Sequence, residues 1–299
     1  MVHRSSNKMS KADSTVLFDK LGFKTKRIVI KYGGNAMRND ELKESVASDI
    51  VQLKKMGLKP IIVHGGGPEV SNQMDKEGLE PKFIHGQRKT DEKTLEIAEM
   101  VLSGKVNKEL VSLINKRDGN AVGISGKDGT LVKSQKHKKE MKINGKVEEV
   151  DLGRVGEVYD VDTTLVETLM ENDFITVISP ICAGREEGEF NVNADVLAGE
   201  IASSLNADSL IFLTNVDGIR KKENDPGSKI KQLHVDEAES LIGNVISGGM
   251  IPKVKSAIKA INHGVKNVKI IDGTDKHSLI YSFEKGSEYG TVIFEDEED

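Results

Sequence analysis

The sequence predicts an α/β fold: a three-layer αβα sandwich with a mainly parallel central sheet and helices on both faces. Short apolar runs alternate at least six times with stretches of helical period, the pattern of repeated β-α units. The runs are continuously apolar rather than alternating, as expected of strands buried on both faces. Several end in glycines or polar turns, and sheets of this kind bind ligands beyond the carboxyl ends of their strands.

Composition narrows the class. With 37% hydrophobic and 30% charged residues the 299-residue chain is globular, large enough for one α/β domain or two lobes. A net charge of −5 offers no field for nucleic acid, and no apolar run approaches the ~20 residues of a membrane helix. Cys182 is the sole cysteine, so no intrachain disulfide can form, and the polar first fifteen residues hold no signal core. A cytoplasmic protein is expected. The seven histidines lack ligand spacing, so no metal ligands are assigned.

In chain order, residues 1–26 read as an extension. Within it Val16, Leu17, Leu21 and Phe23 line one side of a short helix that needs a packing surface. Ile28–Ile30 is a buried strand ending at Lys31, followed by Gly33 and Gly34 and then a helix from Asn39. A lysine beside exposed amides and a helix N-terminus suits phosphate, although alone it reads equally well as an ordinary turn. The arrangement repeats at Pro60–Gly67, where a strand runs into three glycines and Pro68 opens a helix. No Walker A or GxGxxG motif occurs. Arg88 precedes Thr90, read as the cap of a helix continuing over Leu95–Lys116, and could clamp a carboxylate.

Ala121–Gly126 is another strand, and Asp128–Asp160 reads as an antiparallel flap of short strands beside the main sheet, turning at Asn144-Gly145. Its lysines lack interleaved aromatics, so they read as a solvated face. Phe174–Ile181 is an interior strand and Cys182 a small packing residue. Asn191, Asn193 and Asp195 alternate before an alanine-rich helix, so one can cap it while the others face a cleft. Ser209–Arg220 is a strand and polar turn. Gly248-Gly249 leads into a helix that places Lys253 near its N-terminus, where the dipole disfavours a cation, so an anion explains it better. Val265–Asp272 and Thr291–Phe294 are the last strands, before an acidic tail.

Two lysines at separate glycine-bordered loops, with an aspartate, suit phosphoryl transfer, where catalysis is mostly positioning and charge neutralisation. No general base stands out. A carboxylate acceptor, with a pKa of about 4.3, needs none at neutral pH. The residues therefore lean toward a kinase that makes an acyl phosphate.

IVIKYGGNAM, IVHGGGPEVS, HGQRKTDEKTLEIAEMVLSGKVNKELVSLIN, GISGKDG, FNVNAD, LTNVDGI and ISGGMIPKV, in this order, resemble the N-acetyl-L-glutamate kinases of the amino acid kinase family. The resemblance runs from Arg27 to Phe294. It implies the amino acid kinase fold, with an acetylglutamate-binding and dimerising lobe at 27–182 and an ATP-binding lobe at 183–299. It implies that Lys31 and Lys253 stabilise the transferring phosphoryl group while Asp195 holds both. Gly34 and Gly66 would donate N–H groups to the phosphoryl oxygens. Gly66, Gly67, Arg88 and Asn191 would bind acetylglutamate. Asn215, Val216, Asp217, Gly218, Ile219 and Arg220 would line the nucleotide pocket, with Mg²⁺ bridging the phosphates of ATP. The pathway implied is arginine biosynthesis and the core assembly a homodimer.

Some relatives form hexamers through an N-terminal helix like the 12–23 stub and are inhibited by arginine. Here Lys269 stands where their arginine site has its first histidine, Ser282 where it has a glutamate, and Glu288 in place of a glycine. The stub leaves a hexamer open, and the lost glutamate argues against arginine feedback. Two alternatives remain: a sister kinase for aminoadipate or glutamate on an acidic carrier protein, docking on the Lys133–Lys142 flap, and a non-catalytic nucleotide-binding module.

Overall fold

A computed structural model describes residues 27–296 apart from 38, 85, 144, 145, 187 and 223. The expected helix at 12–23, the Asn144-Gly145 turn and the end of the acidic tail lie outside the described residues. The strands are β1 (Arg27–Tyr32), β2 (Lys59–His64), β3 (Phe83–Ile84), β4 (Gln87–Arg88), β5 (Ala121–Ser125), β6 (Val132–Ile143), β7 (Lys146–Val161), β8 (Ile175–Ser179), β9 (Ile181–Gly184), β10 (Glu189–Val192), β11 (Ser209–Thr214), β12 (Ile219–Arg220), β13 (Lys229–Ile230), β14 (Gln232–His234), β15 (Asn267–Asp272) and β16 (Thr291–Phe294). The α-helices are α1 (Asp40–Lys55), α2 (Gly67–Lys76), α3 (Glu92–Glu99), α4 (Asn107–Asn115), α5 (Thr164–Glu171), α6 (Ala194–Ser204), α7 (Val235–Leu241), α8 (Met250–Asn262) and α9 (Ser278–Glu284).

Eight strands form the central sheet in the order β14-β16-β15-β11-β1-β2-β8-β5, with β15–β16 the single antiparallel pair. The chain leaves β1 toward β2 on one side, and β11 returns on the other, so the order reverses at β1. Such a switch point opens a crevice at the strands' carboxyl ends. Lys31 is at that end of β1.

Two cores flank the sheet, and β1 divides its residues between them with a period of two. Ile28, Ile30 and Tyr32 join Ile50 and Leu53 of α1, Ile97 of α3 and Ile114 of α4. Val29 instead joins Leu197 and Ile201 of α6 with Val254 and Ala257 of α8. Lys31, two residues beyond Val29, therefore shares the face covered by α6 and α8. Each fully buried aliphatic side chain contributes about 2 kcal/mol, so the two apolar faces hold the helix termini in place over the sheet.

Three local expectations need correction. The helix read over Leu95–Lys116 is interrupted by a π-helical stretch, Met100–Val106, between α3 and α4. A single extra residue per turn escapes a 3.6-residue pattern. Second, Asp91 rather than Thr90 caps α3, its carboxylate accepting the Thr94 N–H at 2.8 Å. The Thr90 hydroxyl donates to the Arg88 carbonyl, and its backbone bridges to β7 beside Gly153. Third, the flap is no set of short strands at the sheet's side: β6 and β7 run 12 and 16 residues, and with β9 and β10 they close a four-stranded barrel. Cys182 is fully buried, as a packing residue should be.

Candidate active site

Lys31, Asp195 and Lys253, far apart in sequence, meet at the crevice. The Lys31 ammonium lies 2.9 Å from one oxygen of Asp195, and the Lys253 ammonium lies 2.7 Å from the other. Local structure explains the convergence. Asn193 caps α6, its side-chain oxygen accepting the N–H groups of Asp195 and Val196, which fixes the first turn and aims Asp195 at the sheet. A carboxylate there is favoured by the helix dipole. Lys253 sits in the first turn of α8 and is held against the dipole by that same carboxylate.

Asp195 is only 6% exposed. Burial pushes its carboxyl up, but Lys31 and Lys253 prevail and hold it below the usual carboxylate range. The cluster carries two ammonium groups against one carboxylate, so it has a surplus positive charge. At 4 Å and an effective dielectric constant near 20, a unit anion gains about 4 kcal/mol from one cation. The crevice is built to receive a further anion.

Glycines border it. Gly34 is exposed at φ +73° and opens a short 3-10 turn, Gly34–Met37. Gly66 is buried at φ +151°, and a Cβ there would come within 2.6 Å of Leu102 in the π-helical stretch. The Gly65 N–H donates to the Tyr32 carbonyl at 2.8 Å, tying the two glycine loops together. Gly67 is exposed and opens α2.

Arg88, on β4, is buried with its guanidinium at that helix start. It donates to the Gly67 carbonyl at 2.8 Å and the Ser71 hydroxyl at 2.7 Å, beneath the Phe83 ring. Burial lowers its pKa, with Asp75 opposing. Among the described residues no carboxylate lies within ion-pair distance of it. Asn191 is half-buried on β10, between β7 and β9.

On the other side of Lys253, a cavity of about 430 Å³ lies between the turn after β11 and the segment entering α8. Asn215, Val216, Gly218, Ile219 and Arg220 line it. Asp217 does not: its carboxylate turns to Arg220, accepting from Nε at 3.0 Å. Val216 is an exposed apolar side chain in the cavity wall. The opposite wall, Val245–Met250, was not assigned to the site from sequence, although its Gly248-Gly249 pair was a signal. Thr291 was also missed; its hydroxyl accepts the Ile219 N–H at 2.8 Å and donates to the Ile230 carbonyl at 2.6 Å, bracing the turn. No local pattern marks it.

Residues 26–272 match the model of the amino acid kinase family. The chain belongs to that family. It is 48% identical over 275 residues to acetylglutamate kinase of Methanobrevibacter smithii, covering 91% of this chain and 94% of that protein. It is likewise 48% identical over 278 residues to acetylglutamate kinase of Aquifex aeolicus, with coverages of 91% and 92%. Among solved structures, N-acetylglutamate synthase from Neisseria gonorrhoeae, complexed with coenzyme A and N-acetyl-glutamate, superposes with a TM-score of 0.78 at 22% identity. That likeness is one of fold; it spans 95% of this chain and 62% of the synthase chain.

Within this kinase, Gly33 is a sharp test of the cluster. A Cβ there would lie 2.8 Å from the Lys31 amine nitrogen. Lysine's end is flexible, so Gly33→Ala should fold normally but push the ammonium aside. Misplacement on the 1 Å scale costs up to about 100-fold in turnover. We expect a loss of about 30-fold in kcat with an unchanged melting temperature; a variant of native activity would detach Lys31 from the chemistry.

Proposed function

We propose that the chain transfers the terminal phosphoryl group of ATP to the side-chain carboxylate of N-acetyl-L-glutamate, giving an acyl phosphate for arginine biosynthesis in the cytoplasm. The observation that carries this reading is the Lys31–Asp195–Lys253 cluster at the mouth of a cavity able to admit a nucleotide. The acceptor carboxylate is already ionised at neutral pH, so the obstacle is its repulsion from ATP. Lys31 and Lys253 offset that repulsion and stabilise the charge on the transferring group, while Asp195 keeps both ammoniums in register. Gly34 and Gly66 donate backbone N–H groups to the phosphoryl oxygens. Gly66, Gly67, Arg88 and Asn191 hold acetylglutamate, with Arg88 on its α-carboxylate. The turn from Asn215 to Arg220 receives the nucleotide.

Among the described residues no three His, Cys, Asp or Glu side chains form a metal-binding group. Asp195 is occupied by two ammoniums, so Mg²⁺ would be carried by the nucleotide's phosphates, neutralising their charge. The lobe at 27–182 is proposed to hold the acceptor and that at 183–299 the nucleotide. A homodimer is proposed through the N-terminal lobe's sheet, whose edge strand β5 is partly exposed.

Ion pairing on the flap favours a free acceptor over a carrier-bound one. Lys133, Lys136 and Lys138 pair with Asp160, Asp151 and Glu149 across the hairpin. Their charge is locally matched, which leaves little to attract an acidic carrier. A hydroxylamine trap tests this: acetylglutamate should give ATP-dependent hydroxamate, with glutamate and aspartate giving little. Silence on free acetylglutamate would overturn the reading. Arginine should leave the rate unchanged in the same assay. Burial lowers the Lys269 pKa to about 8, and its amine is committed to the Ser282 carbonyl at 2.8 Å, beside Phe283.

A further inference from the structure

A buried pair behind the second glycine loop has no part in the chemistry described so far. His64, the last residue of β2, is fully buried. Its Nδ1 lies 2.7 Å from the Gly65 carbonyl oxygen, and its Nε2 lies 3.2 Å from the side-chain nitrogen of Asn107. Asn107 is also fully buried and is the first residue of α4, immediately after the π-helical stretch.

The orientation of Asn107 is fixed by its other partners. Its amide nitrogen donates to the carbonyls of Val177 at 3.0 Å and Ile124 at 3.2 Å, while its oxygen accepts from the Lys108 amine at 3.0 Å. Nitrogen therefore faces His64. A carbonyl oxygen only accepts, so Nδ1, the ring nitrogen against Gly65, carries the imidazole proton, and Nε2 turns its lone pair to the Asn107 amide, whose two N–H protons are shared among Val177, Ile124 and the ring. The fit is close: a Cβ at Gly123 would lie 1.9 Å from the Asn107 oxygen, so the amide occupies the space a side chain would take.

The Gly65 carbonyl and the Gly66 N–H belong to one trans peptide, in which C=O and N–H point in opposite directions. Holding the carbonyl inward on His64 turns the Gly66 N–H outward. That amide is the proposed donor to the transferring phosphoryl group. We infer that His64, its Nδ1–H tautomer demanded by the Gly65 carbonyl and accommodated by Asn107, is a positioning residue for phosphoryl transfer that locks the Gly65–Gly66 peptide with its N–H toward the reacting phosphate. The inference rests on the kinase reading given above.

The charged groups facing the ring are Lys31 on β1 and Lys108 on α4. Burial first, with these cations, pushes His64 down to about 4, opposed by the Gly65 carbonyl. The ring stays neutral and its single proton stays on Nδ1 through the working range.

The test joins spectroscopy with kinetics on the full chain. Long-range ¹H–¹⁵N spectra should show His64 as the Nδ1–H tautomer, unchanged between about pH 5.5 and 8. His64→Leu removes the donor, and kcat should fall about 10- to 100-fold with the KM for acetylglutamate within about threefold. His64→Asn places an amide N–H near the position of Nδ1 and should recover most of that loss. An Nε2–H tautomer in the wild type would overturn the inference. So would an unimpaired His64→Leu, or equal loss in both variants tracking a fall in melting temperature. Where His64→Leu does not fold, the wild-type tautomer and the kcat of His64→Asn decide. A wild type inactive on acetylglutamate would refute the kinase reading instead, leaving the tautomer to be read independently.

Discussion

Replacing Lys253 by alanine should lower turnover by about 10³-fold, a loss of about 4 kcal/mol of transition-state stabilisation. Only part of its charge is needed to neutralise Asp195, because Lys31 remains 2.9 Å from the same carboxylate. The rest faces the cavity, whose wall includes Lys253. Charge on the transferring oxygens grows toward the transition state, so kcat should bear the loss more than the KM for ATP. The fold should survive, since the truncated side chain leaves Asp195 paired. Lys253→Arg should not restore activity: its planar fork cannot reproduce a compact ammonium between a carboxylate and a phosphate. Single-turnover measurements separate chemistry from product release. Near-native kcat in the alanine variant would remove the mechanism.

The sheet was legible because its strands are apolar throughout and end in glycine. Ile28–Ile30 and Pro60–Val63 allow few other assignments, and the parallel order follows from the helices between them. The two lysines were legible for different reasons. Lys253 opposes a helix dipole, which asks for an anion, whereas Lys31 ends a buried strand beside a glycine pair and pointed to one only once Lys253 and Asp195 were read with it.

What escaped the sequence depends on contacts between distant segments. The π-helical stretch at Met100–Val106 puts Leu102 against Gly66 and Asn107 against His64. A periodicity counted along one helix cannot register a partner on another element. Asp91 took the cap from Thr90 because β7 claims the Thr90 backbone through Gly153, again a long-range pairing. The barrel closed by β9 and β10 is invisible in the flap's own sequence for the same reason. Asp217 shows the limit of motif transfer. It lies within the turn proposed for the nucleotide, yet it is not part of the cavity lining, and its carboxylate is spent on Arg220.

Asp195→Asn should be the more damaging change, because it affects stability as well as chemistry. The isosteric amide leaves two ammonium groups facing each other across a neutral side chain in a nearly buried crevice. Removing one partner from a buried ion pair costs about 3–5 kcal/mol, and here two cations lose the same partner. Both lysines retain some solvent contact, so about 3 kcal/mol is expected, a fall in melting temperature of about 6 °C. Turnover should drop by more than about 10³-fold, since neither ammonium is then held in register. The pH dependence gives an independent sign. The folded-state pKa of Asp195 is depressed, so its contribution is complete above the unfolded value of about 3.9 and is lost as pH falls through the lower folded value. The gap in stability between wild type and variant should therefore be constant near neutrality and shrink below about pH 4. Nucleotide should narrow the gap as well, because its phosphates supply the missing negative charge to the same two lysines. A variant as stable as the wild type, or a gap indifferent to both acid and ATP, would mean that the two ammoniums do not share one electrostatic site.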